Sequence, residues 1–167
     1  RRGRPIDLIP SSQVHFRSLR STPAISRDQA LSFAEISLAV VDLIEQYVDL
    51  PAMAVPIHPI DVDASLSADE IAAIASEVRD ALDLGTGPIP NVVRLLEARG
   101  VVVLRFPPTL DYRVDAFSTS AGNRSLVMLS EQKGDRARSR FDCAHELGHL
   151  VMHPGVESGS KIVESQA

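Results

Sequence analysis

The sequence predicts an α+β fold: several helices around a small, mostly antiparallel three-stranded sheet. Three observations carry this. Apolar residues recur at helical spacing behind two capping boxes, a β-branched run at 101–106 breaks that spacing, and a further helical pattern at 135–151 contains two histidines four residues apart.

Composition sets the frame. The chain has 167 residues, 44% of them hydrophobic and 23% charged, which suits one globular domain with an appended arm. Disordered, collagen-like and low-complexity classes are excluded. A single cysteine, Cys143, excludes a disulfide scaffold and points to a reducing, cytoplasmic compartment. The most apolar run, 31–50, is broken by Glu35, Asp42, Glu45 and Asp49, so no stretch reaches the ~18 uncharged residues of a membrane span. At 100° per residue these acids fall on one side, as in an amphipathic helix.

Charge is uneven. Residues 1–27 hold six arginines against Asp7, a net +5, which leaves −10 for the rest of the total of −5. With Pro5, Pro10, Pro23 and several serines, residues 1–25 read as a basic linker or arm; the plain reading is a solvated linker, the sharper one a contact with nucleic acid. The chain starts at Arg1 without a signal segment, from which a piece of a longer polypeptide is expected.

The elements follow in order. Ser26 with Gln29 forms a capping box that starts a helix running to about Tyr47, before Pro51. Residues 51–59 (PAMAVPIHP) are an extended connector, which makes 26–55 a helix-plus-connector unit. Ser67 and Glu70 cap a second helix bearing Ile71, Ile74, Ala75, Val78 and Leu82, closed by Gly85. Pro90 opens a short third helix over 91–99 that ends at Gly100. Strands are expected at 101–106, 115–118 and 125–129, the last two around a turn at Gly122 and Asn123. Asp135 caps the next helix, which carries Phe141, Ala144, Leu147, Leu150 and Val151 until Pro154; residues 161–167 begin another.

The chemistry lies in His145-Glu146-Leu147-Gly148-His149, an H-E-x-x-H on a helix. Histidines at i and i+4 share a face one turn apart, so both imidazoles can reach one tetrahedral Zn²⁺, while Glu146, about 100° round the helix, reaches a water on the open side. A catalytic zinc needs a third ligand. The metzincin pattern requires His at 155, where Gly155 stands. His153 shares the face of 145 and 149 but lies about 12 Å along the axis from 145, too far for one ion. The downstream carboxylates are Glu157, in a loop, and Glu164, on a helix able to fold back; Glu164 is the better candidate. Cys143 reads as a small buried hydrophobe, and Arg136, Arg138 and Arg140 as a solvated helix start or, for Arg140, a pairing with a core acid.

The segment RSRFDCAHELGHLVMHPG (138–155), followed by KIVESQA, resembles the ImmA/IrrE family of zinc metallopeptidases, and GPIPNVVRLLEARGVVVLRF (87–106) and VDAFS (114–118) extend the resemblance upstream. It covers about residues 60–167. It implies a zincin-like fold, with 56–167 as a metallopeptidase domain shortened at its C-terminus, and makes His145, His149 and Glu164 the metal ligands and Glu146 the general base. Zn²⁺ is the expected ion, with Mn²⁺ as the alternative. The implied substrate is a protein, a helix-turn-helix transcriptional repressor whose cleavage releases a stress-response or mobile-element operon; the implied partner of DNA is a helix-turn-helix domain upstream of Arg1. No membrane partner is expected, and a homodimer through the helix at 26–47 is an open alternative. The rival class is a non-proteolytic regulator or antitoxin that uses the same domain as a sensor or dimerisation module. An extended substrate is expected along an exposed edge of the strand at 125–129, with Tyr112 or His153 considered, but not assigned, as oxyanion donors.

Overall fold

A computed structural model describes residues 14–16, 22–61, 65–107, 116–121, 123–130, 136–156 and 161–167, with the backbone alone at 14–16, 136 and 161. Among them the elements are β1 (Val14–Phe16), α1 (Ala24–Ile44), α2 (Ala68–Ala81), α3 (Val92–Ala98), β2 (Val101–Arg105), β3 (Ala116–Ala121), β4 (Arg124–Leu129), α4 (Arg136–Met152) and α5 (Lys161–Gln166). The α+β class holds. The expected positions Asp115, Gly122 and Asp135, like Tyr112, Glu157 and most of the basic segment, lie outside the described residues.

The sheet has a fourth strand beyond the three expected. Its order is β1-β3-β4-β2, with β1 antiparallel to β3, β3 antiparallel to β4 and β4 parallel to β2. β1 comes from within the segment read as an arm, where it pairs Val14 with Thr119 and Phe16 with Phe117. A second correction concerns β4. It is an inner strand, hydrogen-bonded on both sides and buried at all six positions, so it offers no edge to a substrate. Its near-continuous apolar sequence is that of a strand covered on both faces.

Alternate residues of the sheet feed two cores. Val101, Ala116, Val127 and Leu129 pack with Ile74, Leu96, Cys143, Leu150 and Val151, so α2, α3 and α4 cover one face. Phe106, Phe117, Leu126 and Met128 pack with Ala30, Ala34 and Leu38 of α1 on the other. Small residues let α1 sit close to the sheet, and larger apolar ones, Ile36, Val40, Leu43 and Ile44, face outward.

Local chemistry explains the boundaries. α1 begins earlier than the Ser26 capping box predicts: Pro23 takes the cap position, and its carbonyl accepts from the amides of Ser26 and Arg27. Proline has no amide to leave unsatisfied there, and Ser26 is buried inside the first turn. The Ser67–Glu70 capping box forms as expected. Asn91, rather than Pro90, caps α3, its side chain accepting from the Arg94 amide. Gly100 ends that helix at φ +80°, where a Cβ would sit 2.4 Å from the Ala52 carbonyl oxygen.

The connector at 51–59 is anchored backbone. Ala54 donates to the Arg99 carbonyl, and His58 and Ile60 donate to the carbonyls of Val151 and Met152, which no further helical turn satisfies at the end of α4. Arg124 adds to this seam: buried at the start of β4, it donates to the carbonyls of Pro51 and Gly100 and pairs with Glu45.

Candidate metal centre

α4 brings His145 and His149 onto one face. Their rings meet edge to face with centroids 4.7 Å apart, and their Nε2 atoms lie 3.2 Å from each other. α5 folds back against this face and supplies Glu164, with Oε2 3.5 Å from His145 Nε2 and Oε1 3.7 Å from His149 Nε2. Bonds of ~2.0–2.1 Å at the tetrahedral angle place two donors about 3.3 Å apart. The three observed separations bracket that value.

The surroundings fit a cation. Both histidines are buried, and the carboxylate oxygens of Glu164 are shielded from solvent with no hydrogen-bond partner among the described residues. A buried carboxylate without donors is costly, and a divalent ion between it and two imidazole nitrogens removes that cost. Two nitrogens and one carboxylate are the donor set of a three-ligand zinc site, and these residues could hold such an ion. Glu146 follows His145 on α4 and is fully buried.

α5 reaches the site because α4 is bare where they meet. A Cβ on Gly148 would lie 2.8 Å from the Ala167 oxygen and 3.0 Å from its Cα. The glycine inside H-E-x-x-H thus admits the backbone that carries the third donor.

His153 stands behind the cluster. Its Nδ1 is 3.2 Å from Nδ1 of His149, on the ring edge opposite the Nε2 that faces Glu164, and its Nε2 is 3.1 Å from Gln166 Oε1. It is fully buried, and burial is the main cause that holds its pKa below the usual imidazole value. Sequence reasoning places His153 near the site but misses Gln166; the signal was its position two residues after Glu164.

The remaining candidates are placed as follows. Cys143 is a buried free thiol pushed up to about 12, chiefly by burial and then by the charge of Glu146. Among the described residues, Arg140 donates to the Ile89 carbonyl rather than pairing with a core acid, and Arg138 lies 3.9 Å from Asp142. Phe141, exposed on α4, stacks over His145 at a centroid distance of 6.2 Å.

Residues 96–165 match the peptidase M78 family model, described as the IrrE N-terminal-like domain. The matched segment, less than half of the chain, is similar to the IrrE N-terminal-like domain. The match runs from the end of α3 to one residue past Glu164, so the matched segment contains all three donors, Glu146 and His153. Gln166 lies just beyond it. Neither a curated protein nor a solved structure matches the chain. Among the described residues, no helix is long and apolar enough to cross a membrane.

Proposed function

We propose that this protein is a zinc-dependent endopeptidase, with His145, His149 and Glu164 as metal ligands and Glu146 as general base. The observation that carries the reading is the convergence of three donors, from two helices, at separations suited to one tetrahedral ion. Zn²⁺, when bound, supplies Lewis acidity that polarises a carbonyl and lowers the pKa of a water from about 15.7 to ~7.

The protein's own groups do the rest. Glu146 takes the proton of the attacking water and hands it to the leaving amine as the peptide bond breaks, so one carboxylate serves as base and then as acid. The residue is not needed as a ligand, and a purely structural zinc site closed by four protein donors gives it no task. Because β4 is paired on both sides, an extended substrate would pair with an outer strand, β1 or β2.

The proposed substrate class is a helix-turn-helix repressor, carried over from the family resemblance alone. Mn²⁺ is the alternative ion, and a cytoplasmic site of action accords with the single free thiol.

The test is metal content and cleavage in parallel. Purified protein should hold about one zinc, Glu164→Ala should lose it, and a co-expressed repressor should be cut only by the metal-loaded wild type. Stoichiometric zinc without cleavage of any repressor would favour the sensor or antitoxin reading. Absence of both zinc and manganese would remove the peptidase reading altogether.

A further inference from the structure

Behind the three donors runs a second row of contacts: His149 Nδ1 to His153 Nδ1 at 3.2 Å, then His153 Nε2 to Gln166 Oε1 at 3.1 Å. Two of its members, His153 and Gln166, are buried residues with no place among the ligands. Each contact joins one donor to one acceptor, so fixing either end fixes every proton between.

The Gln166 end decides. An amide oxygen only accepts, so His153 must carry its proton on Nε2. A neutral imidazole has one N–H, which leaves His153 Nδ1 a bare acceptor. The proton in the 3.2 Å contact therefore sits on His149 Nδ1. That leaves His149 Nε2 bare, the atom that faces His145 Nε2 and Glu164 Oε1. Were the amide nitrogen of Gln166 turned inward, each step would invert, and His149 would present an N–H where a cation needs a lone pair.

We infer that His153 and Gln166 are positioning residues that lock His149 in its Nδ1–H form and so prepare its Nε2 for a divalent cation. The inference rests on the proposed metal centre. It gives α5 two tasks: Glu164 supplies a donor, and Gln166 sets the proton on a ligand of the other helix. Outer partners of metal-bound histidines are worth about 10- to 100-fold in affinity.

The test compares wild type, Gln166→Glu and Gln166→Leu. A packing role and a proton-ordering role predict opposite ranks. Leucine fills the space of glutamine but accepts nothing, whereas glutamate keeps the acceptor and adds a buried charge. Zinc affinity, read by competition with a chromophoric chelator, should stay within about threefold in Gln166→Glu and fall about tenfold in Gln166→Leu. Long-range ¹H–¹⁵N spectra of the metal-free wild type should show His149 with its proton on Nδ1, and Gln166→Leu should show both tautomers. Wild-type affinity in Gln166→Leu, or a larger loss in Gln166→Glu, would overturn the inference, as would a metal-free His149 protonated on Nε2. If the wild type binds neither zinc nor manganese, the peptidase reading fails, while the spectrum of the metal-free protein still decides the proton order.

Discussion

Arg124 reaches 79 positions back along the chain to pair with Glu45. Its guanidinium is the more buried partner, and it also holds the carbonyls of Pro51 and Gly100, so one side chain ties the end of α1, the connector and the α3–β2 turn to β4. Removing one member of a buried pair leaves the other uncompensated. Glu45→Ala should lower the unfolding free energy by about 2 kcal/mol, because Arg124 keeps its two carbonyls, and Arg124→Ala by about 3 kcal/mol. Urea unfolding of both variants and the double variant checks this, with the double costing less than the sum of the singles.

Gly148 is the point where α5 rests on α4. Gly148→Ala should favour the helix by about 1 kcal/mol intrinsically, yet its methyl group would press on the Ala167 backbone and lift Glu164 away from the histidines. The expected result is zinc affinity about tenfold weaker in a variant that is no less helical. Chelator competition and circular dichroism on the same sample separate the two effects.

Glu146→Gln removes the proposed proton acceptor and leaves the three donors in place. Turnover of a cleaved substrate should fall by about 10²- to 10⁴-fold while zinc affinity stays within about threefold. A variant that loses zinc along with activity would show Glu146 acting as a ligand or as a support of the site.

The Cys143 thiol, pushed up to about 12, stays protonated in the folded protein while an ordinary thiol ionises near ~8.5. A group with a raised folded pKa contributes its full share below the unfolded value and loses it as pH rises toward the folded one. Stability should therefore decline from about pH 8.5 upward, and Cys143→Ala should flatten that decline. At pH 8 a thiol reagent should label Cys143 only at the rate of unfolding.

The parts of the site within one helix were legible because helical spacing alone puts His145 and His149 on one face. Glu164 was legible because few carboxylates follow α4 and the sequence pattern puts this one on an expected helix. The contact from His153 to Gln166 was not, since it exists only once α5 has docked, and docking depends on a missing Cβ rather than on a pattern. The two largest misreadings of the sheet have different causes. A three-residue strand such as β1 has no period of its own and is defined by its partner, β3. The inner place of β4 was encoded in the apolar run Leu126 to Leu129, a signal that weighs burial on both faces over exposure at an edge.

β4 sends Leu126 and Met128 toward α1, and Val127 and Leu129 toward the layer that holds α4. A single residue inserted before Leu126 would turn the following strand over and exchange the two sets. The seat of the histidine helix would then be shaped by side chains selected for the opposite layer. The distance between His145 and Glu164 is thus tied to a counting constraint on a strand that touches neither residue's chemistry, and single-residue indels in β4 should abolish the site while leaving its four key residues untouched.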